Sequence, residues 1–359
     1  MDSSFAESNL HSLERHLDAE WRSIKKAHFD TLAMRKRLSE LFAKRRASDA
    51  TVVVFGSVAR YEVTSKSDVD WILLLDGSAS PEHRSLAAEV KTTLVEHKYI
   101  KPGSSGIFGT FVGSHDLVHQ IGGEDDSNSN TTRRVLLLLE SLPLGDREAY
   151  DRVRKQILRR YIEDDRGLTH GSGDVRVPRF LLNDLTRYWR TVTVDFVYKQ
   201  VADADQKWAL RNAKLRMSRK LVFAAGLLRC FFCNLDEAAA EARKALQAPR
   251  HEVALLLTYL DEQFRVAPLE TVARACLSLD IKRETARAIF DSYDKFLSVL
   301  DDDEKREELT RAHTHNDLRA SKAWEEVRDV TRPFHHGLID LFLTDDTRLR
   351  KLTEEYGIF

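Results

Sequence analysis

Cysteine is scarce in this chain. Three in 359 residues, Cys230, Cys233 and Cys276, make neither a disulfide framework nor a zinc set. Two of them form Cys230-Phe231-Phe232-Cys233 inside an apolar run, which points to buried packing thiols rather than a redox pair. No apolar stretch reaches the roughly 18 residues that a membrane span needs. The opening Met1-Asp2-Ser3-Ser4-Phe5-Ala6-Glu7 has no basic region leading into an apolar one, so no signal peptide is expected. The expected setting is cytoplasmic and reducing, without a membrane partner. An excess of one charge is missing as well. Lys and Arg total 56 against 57 Asp and Glu, a net charge of −1, so no overall basic field exists to hold long nucleic acid. A local basic pocket for a triphosphate stays open. The chain's 359 residues are enough for two domains with a sizeable core, and the 42% of hydrophobic residues is ordinary for a globular chain.

What is present falls into two parts. Residues 5–47 read as one helix, with Leu10, Leu13, Leu17, Trp21 and Ile24 at three- and four-residue steps, ended by Lys44-Arg45-Arg46. Val52-Val53-Val54-Phe55 is an apolar, β-branched run, expected as a buried strand, and Gly56-Ser57 breaks it. Asp68 to Leu75 suits a second strand, Pro81 opens a helix reaching about His97, and residues 98–123 read as strands and turns. Thr131-Thr132 would cap a helix starting at Arg133. From there helical periodicity dominates, interrupted by a glycine-containing loop over 164–178 and by breaks near Ala248-Pro249 and Arg332-Pro333. The expectation is an α+β fold. Residues 1–130 would hold the N-terminal helix and a catalytic head, a mixed sheet flanked by helices, and residues 131–359 a mainly helical domain.

The chemistry sits in Phe55-Gly56-Ser57-Val58-Ala59-Arg60 followed by Ser67-Asp68-Val69-Asp70-Trp71-Ile72. A buried strand that ends at Gly-Ser makes a sharp bend, and glycine removes the side chain that would keep phosphate away. Backbone N–H groups and the Ser57 hydroxyl can then face phosphate oxygens. Side chains alternate along a strand, so Asp68 and Asp70 share a face while Val69 points into the sheet's packing. Two carboxylates without competing sulfur or imidazole suit magnesium, with manganese as the substitute. Two such ions ease in-line attack on phosphorus. The plainer alternative is an Asp-x-Asp on an exposed edge strand beside an ordinary turn. The combined spacing disfavours it, because charges at the mouth of a buried strand are tolerated chiefly when paired or ligating a metal.

These residues resemble the signature of the polymerase β-like nucleotidyltransferase superfamily. The form Gly56-Ser57-x-Ala59-Arg60 with Ser67-Asp68-x-Asp70 looks most like small bacterial members, although many of those have glycine where this chain has Tyr61. The resemblance covers about 25 residues. It implies a mixed sheet flanked by helices, a helical domain that closes over the nucleotide, and site residues Gly56, Ser57 and Arg60 around it. It also implies a third acidic residue from a neighbouring strand. Asp116, Asp125 and Asp126 are the candidates. Asp116 follows the expected strand 107–112 and leads to Gly122-Gly123, an outline similar to the glutamine synthetase adenylyltransferases but without their arginines. It is the expected third metal ligand. Asp125 and Asp126 read as loop or capping residues, and His115 and His119 as surface or packing histidines.

Two later stretches suit a nucleotide-binding lid. Asp184, Arg187, Tyr188, Thr191 and Asp195 fall on one helical face, where a tyrosine and an arginine would bracket a base or ribose; a solvated face with internal ion pairs is the alternative. Lys214 and Ser218, joined by Arg211, stack on another helix and would hold the β- and γ-phosphates; a plain basic surface is the alternative. The terminal Gly357-Ile358-Phe359 is expected to dock on the core. The functional expectation is a magnesium-dependent nucleotidyltransferase. It would use a nucleoside triphosphate, transfer AMP to a hydroxyl on a protein, a small molecule or a second nucleotide, and release pyrophosphate. The alternative of another class is a sensor that binds nucleotide without turning it over.

Overall fold

The computed structural model describes residues 3–43, 49–78, 80–102, 106–170, 175–202, 207–247 and 253–358. The basic stretch Lys44-Arg45-Arg46, the break at Ala248-Pro249, the loop glycines Gly171 and Gly173, and Phe359 lie outside the described residues. The chain divides into two compact units. One is Met1–Ala27, Val175–Ala240 and Pro268–Phe359; the other is His28–Asp174 and Glu241–Ala267.

The second unit holds a four-stranded mixed sheet. Strands β1 (Ala50–Phe55), β2 (Trp71–Leu75), β3 (Thr110–Gly113) and β4 (Ser141–Leu144) lie in the order β3-β2-β1-β4. β1 is antiparallel to both β2 and β4, and β2 is parallel to β3. Val52, Val54, Trp71 and Leu73 face one way and pack with Met34, Leu38 and Phe42 of the Arg22–Phe42 helix and with Val90 and Leu94 of the Pro81–Glu96 helix. Each such fully buried large side chain contributes about 1.5–3 kcal/mol over its exposed state. Val53, Ile72 and Leu74, also fully buried, face the other way, where the Glu148–Glu163 helix covers β1 and β2. Burial on both faces explains why the strand sequences are continuous apolar runs rather than alternating ones. The sheet is complete only with β4 and the helix after it. Compactness therefore does not divide the chain at residue 130: the change of composition there marks a change in secondary structure, and residues up to 174 stay with the sheet.

The first unit is helical. The Lys220–Leu235 helix is buried along most of its length, Cys230 and Cys233 included, and burial pushes the Cys230 thiol well up, as suits a packing thiol. The Arg283–Asp301 and Lys322–Asp340 helices meet at Gly337, where a β-carbon would lie 2.8 Å from Ile289 Cγ1 and 3.2 Å from the Thr285 carbonyl oxygen. Among the described residues no helix is long and apolar enough to cross a membrane.

Two local expectations are corrected. Residues 5–43 are not one helix. The Asn9–Leu17 helix ends at Asp18, which is left-handed at φ 52°, and the Trp21 backbone N–H donates to Glu14 Oε1 at 2.7 Å before the Arg22–Phe42 helix begins. Apolar periodicity survived the break because both helices bury the same kind of face. The helix expected to start at Arg133 is Asn128–Leu139. Ser127 caps it by accepting from the Asn130 N–H, and Thr131 is buried inside it.

Candidate active site

β1 ends at Phe55, and the Ser57–Arg60 helix follows after one residue, Gly56. Gly56 sits at φ 66°, ψ −138°, a conformation open to glycine and strained for other residues. A β-carbon there would lie 3.3 Å from Asp70 Oδ2. The bend and the acid are neighbours because β1 and β2 are antiparallel. The register that pairs Val54 with Trp71 continues to Phe55, whose N–H donates to the Asp70 carbonyl at 2.9 Å.

Asp68, Val69 and Asp70 are an extended lead-in to β2, held from both sides. Phe55 binds Asp70 on one side, and the Val69 N–H donates to the Ile100 carbonyl at 3.0 Å on the other. Val69 is 1% exposed and packs with Trp71 and Leu73 in the core. By strand alternation Asp68 and Asp70 project from the opposite face, and both are half-buried. A turn places this segment: the Ser67 N–H donates to the Thr64 carbonyl at 3.0 Å, and the Thr64 N–H donates to Ser67 Oγ at 2.9 Å. Side-chain oxygens on one face, with no sulfur or imidazole in the segment, fit a hard divalent cation. Ser57 opens the short helix and is half-buried.

Residues far off in sequence support the bend. Arg35, from the Arg22–Phe42 helix, donates from Nε to the Val58 carbonyl and from a terminal nitrogen to the Ala59 carbonyl, each at 2.7 Å. Its guanidinium carbon lies 3.6 Å from the centre of the Tyr61 ring, and His28 stacks on Tyr61 at 4.7 Å and 11°. Burial lowers the pKa of Arg35, and the Tyr61 hydroxyl opposes that shift. Tyr61 itself is left-handed at φ 63°. Tyr61 thus takes a backbone conformation that glycine adopts most readily, with its ring held between two side chains. Nothing in local spacing announces Arg35 or His28.

Arg60 was expected beside the nucleotide. It is 7% exposed, its Nε donates to Glu62 Oε2 at 2.8 Å, and a terminal nitrogen pairs with Glu140, both acids being buried. The guanidinium is engaged by two buried acids inside the protein. Glu140 is 80 residues away in sequence and left no sequence signal.

Asp116 is not brought to the Asp68–Asp70 pair. β2 and β3 run parallel with Leu75 opposite Gly113. Asp68 and Asp70 precede β2, while Asp116 follows β3 in the Ser114–Val118 helix, so the strands carry it to the other end. There it faces Arg133, whose pKa burial lowers and the Asp116 charge raises. Among the described residues no three His, Cys, Asp or Glu side chains are grouped to hold a metal. Asp126 is 6% exposed and bound at both oxygens by Arg134, at 3.0 Å each, a structural pair. Asp125, His115 and His119 are exposed.

Lys214 and Ser218 belong to the other unit. Lys214 ends the Trp208–Lys214 helix, and Ser218, 6% exposed, lies in the π-helical turn Leu215–Arg219. Arg211, expected to join them, is half-buried in the same helix. Of the other lid stretch, Tyr188 is fully buried, so its ring is not open to bracket a base, and Asp184 is buried with Arg187 3.7 Å away.

Residues 34–103 match the family model of the nucleotidyltransferase domain, a family of the polymerase β-like superfamily. No curated protein matches the chain.

Proposed function

Taking residues 34–103 as a nucleotidyltransferase domain, we propose that this protein moves a nucleoside monophosphate, expected to be AMP, from a nucleoside triphosphate to a hydroxyl acceptor, with pyrophosphate leaving. The observation that carries the reading is the closeness of the Asp70 carboxylate to Gly56, where a β-carbon would lie 3.3 Å from Oδ2. A phosphate seated at the bend is then beside the carboxylates that would hold its metal ions. Asp68 and Asp70 would hold two magnesium ions. Bound there, the ions would neutralise charge on the triphosphate and on the departing pyrophosphate. Gly56 leaves room for a phosphate oxygen, and the Ser57 hydroxyl donates to it. Arg35, Tyr61 and Arg60 keep the bend in place so that little reorganisation accompanies binding.

The acceptor class, whether protein, small molecule or second nucleotide, is to be read from the product. Incubation with each labelled nucleoside triphosphate and magnesium should release pyrophosphate and label one acceptor. Asp68→Asn with Asp70→Asn should abolish release in a folded protein. Full turnover in that double variant would overturn the mechanism. One observation favours a second reading, nucleotide binding without turnover: the position of Asp116 at the far end of β2. Saturable triphosphate binding with no pyrophosphate release from any nucleotide would select it.

A further inference from the structure

In the helical unit, basic side chains from two helices converge at the π-helical turn Leu215–Arg219. Arg216 lies in that turn and is exposed, and Lys220 begins the Lys220–Leu235 helix and is half-buried. His335 and His336, both exposed, come from the Lys322–Asp340 helix, with ring centres 5.9 Å apart. Lys220 Nζ donates to His335 Nδ1 at 3.3 Å, which places the imidazole proton on Nε2, facing away from the lysine. A π-helical turn inside a longer helix recurs at functional sites.

The cluster lacks the acidic partners that buried cations elsewhere in this chain have. Arg134 is paired with Asp126, Arg60 with Glu62 and Glu140, Arg274 with Asp236, and Arg154 lies 3.5 Å from Asp261. Among the described residues no carboxylate pairs with Arg216, Lys220, His335 or His336. Two of the four, Lys220 and His335, show it in their titration. Burial, then the Arg216 charge, lowers the pKa of Lys220. Burial, then Lys220, His336 and Arg216, lowers that of His335. Burial and neighbouring positive charge thus disfavour the charged forms of Lys220 and His335, and among the described residues no acid pairs with either. A bound anion would offset that positive charge.

We propose that Arg216, Lys220, His335 and His336 form a binding site for a multiply charged phosphate anion. The guanidinium and the ammonium supply charge-assisted hydrogen bonds to its oxygens, and the two imidazoles complete the cradle. The site is distinct from the Lys214 and Ser218 pair. Arg216 and Lys220 are each two residues further along the same helical path, nearly half a turn round it. The phosphate has two possible carriers, the tail of a nucleotide or a terminal phosphate on an acceptor. The inference goes beyond the transfer reading and does not rest on it, since binding needs neither metal nor turnover.

The test is calorimetric titration of the full chain with inorganic tripolyphosphate, without divalent metal. Saturable binding that weakens with salt is expected. Lys220→Gln with His335→Gln, and separately Arg216→Gln, should each weaken it about tenfold or more. These variants should melt at or above the wild-type temperature, because no carboxylate loses a partner. Displacement of tripolyphosphate by ATP identifies the nucleotide tail as the natural ligand. Displacement by a 5′-phosphorylated oligonucleotide but not by ATP identifies the acceptor. Undetectable binding to the wild type, or equal binding by folded variants, overturns the proposal.

Discussion

Arg35 lies face-on to Tyr61, 3.6 Å from the ring centre, while the same guanidinium holds the carbonyls of Val58 and Ala59. One side chain thereby fixes both the last turn of the Ser57–Arg60 helix and the left-handed residue that ends it. Tyrosine at φ 63° costs about 1–2 kcal/mol relative to a right-handed conformation, and contact with a cation returns about 0.5–2 kcal/mol. Tyr61→Ala keeps the backbone cost and loses the contact; Tyr61→Gly loses both. The alanine variant should therefore be the less stable of the two by about 1 kcal/mol in urea unfolding. The reverse order would mean that residue 61 is not held in the left-handed region.

Gly56→Ala places a methyl group 3.3 Å from Asp70 Oδ2 in a backbone region that side chains avoid. The expected result is a loss of about 1–3 kcal/mol in stability and a fall in pyrophosphate release of about a hundredfold or more, since a displacement near 1 Å at the reacting centre has that effect. A steady-state assay at saturating nucleotide reads it in kcat.

Asp68 and Asp70 place two negative charges on one face of a short extended segment. Replacing both with asparagine should remove any rise in melting temperature that magnesium gives the wild type. Thermal melts with and without the metal measure this directly. An equal magnesium-induced rise in both proteins would place the ion elsewhere.

Arg60 separates a structural role from a ligand-binding one. Arg60→Ala leaves Glu62 and Glu140 buried without their shared cation, and breaking such a pair costs about 3–5 kcal/mol. Denaturant unfolding should show a loss of that size. Unchanged stability with a raised KM for nucleotide would return Arg60 to the binding site.

His335 gives a pH dependence with a definite sign. Its pKa in the folded chain lies below the ordinary histidine value, so the folded state takes up the proton less readily than the unfolded one. Its contribution is absent above the unfolded pKa and becomes an increasing penalty as pH falls through that value toward the folded pKa. From about pH 7.5 to about pH 5 the wild type should lose stability relative to His335→Gln. Melting curves of the pair across that range check it, and tripolyphosphate should shrink the difference by supplying the missing negative charge.

Local sequence by itself determined the strand, the bend and the acid pair. A β-branched apolar run can form little but a buried strand, glycine is what its sharp end requires, and period-two alternation sets Asp68 and Asp70 on one face with Val69 in the core. Those rules act over a few residues, so they are legible without a fold. Strand direction, by contrast, was decided only in three dimensions. A parallel β2–β3 pair sends Asp116 away from the acids, where an antiparallel pair would have brought that end of β3 to them, and no spacing in the chain distinguishes the two. The partners of Arg60 and Tyr61 are likewise tertiary, because Glu140, Arg35 and His28 reach the bend through packing across 80, 26 and 33 residues. Ion pairs of that kind depend on where whole helices dock, which is set by the summed burial of their apolar faces rather than by any motif.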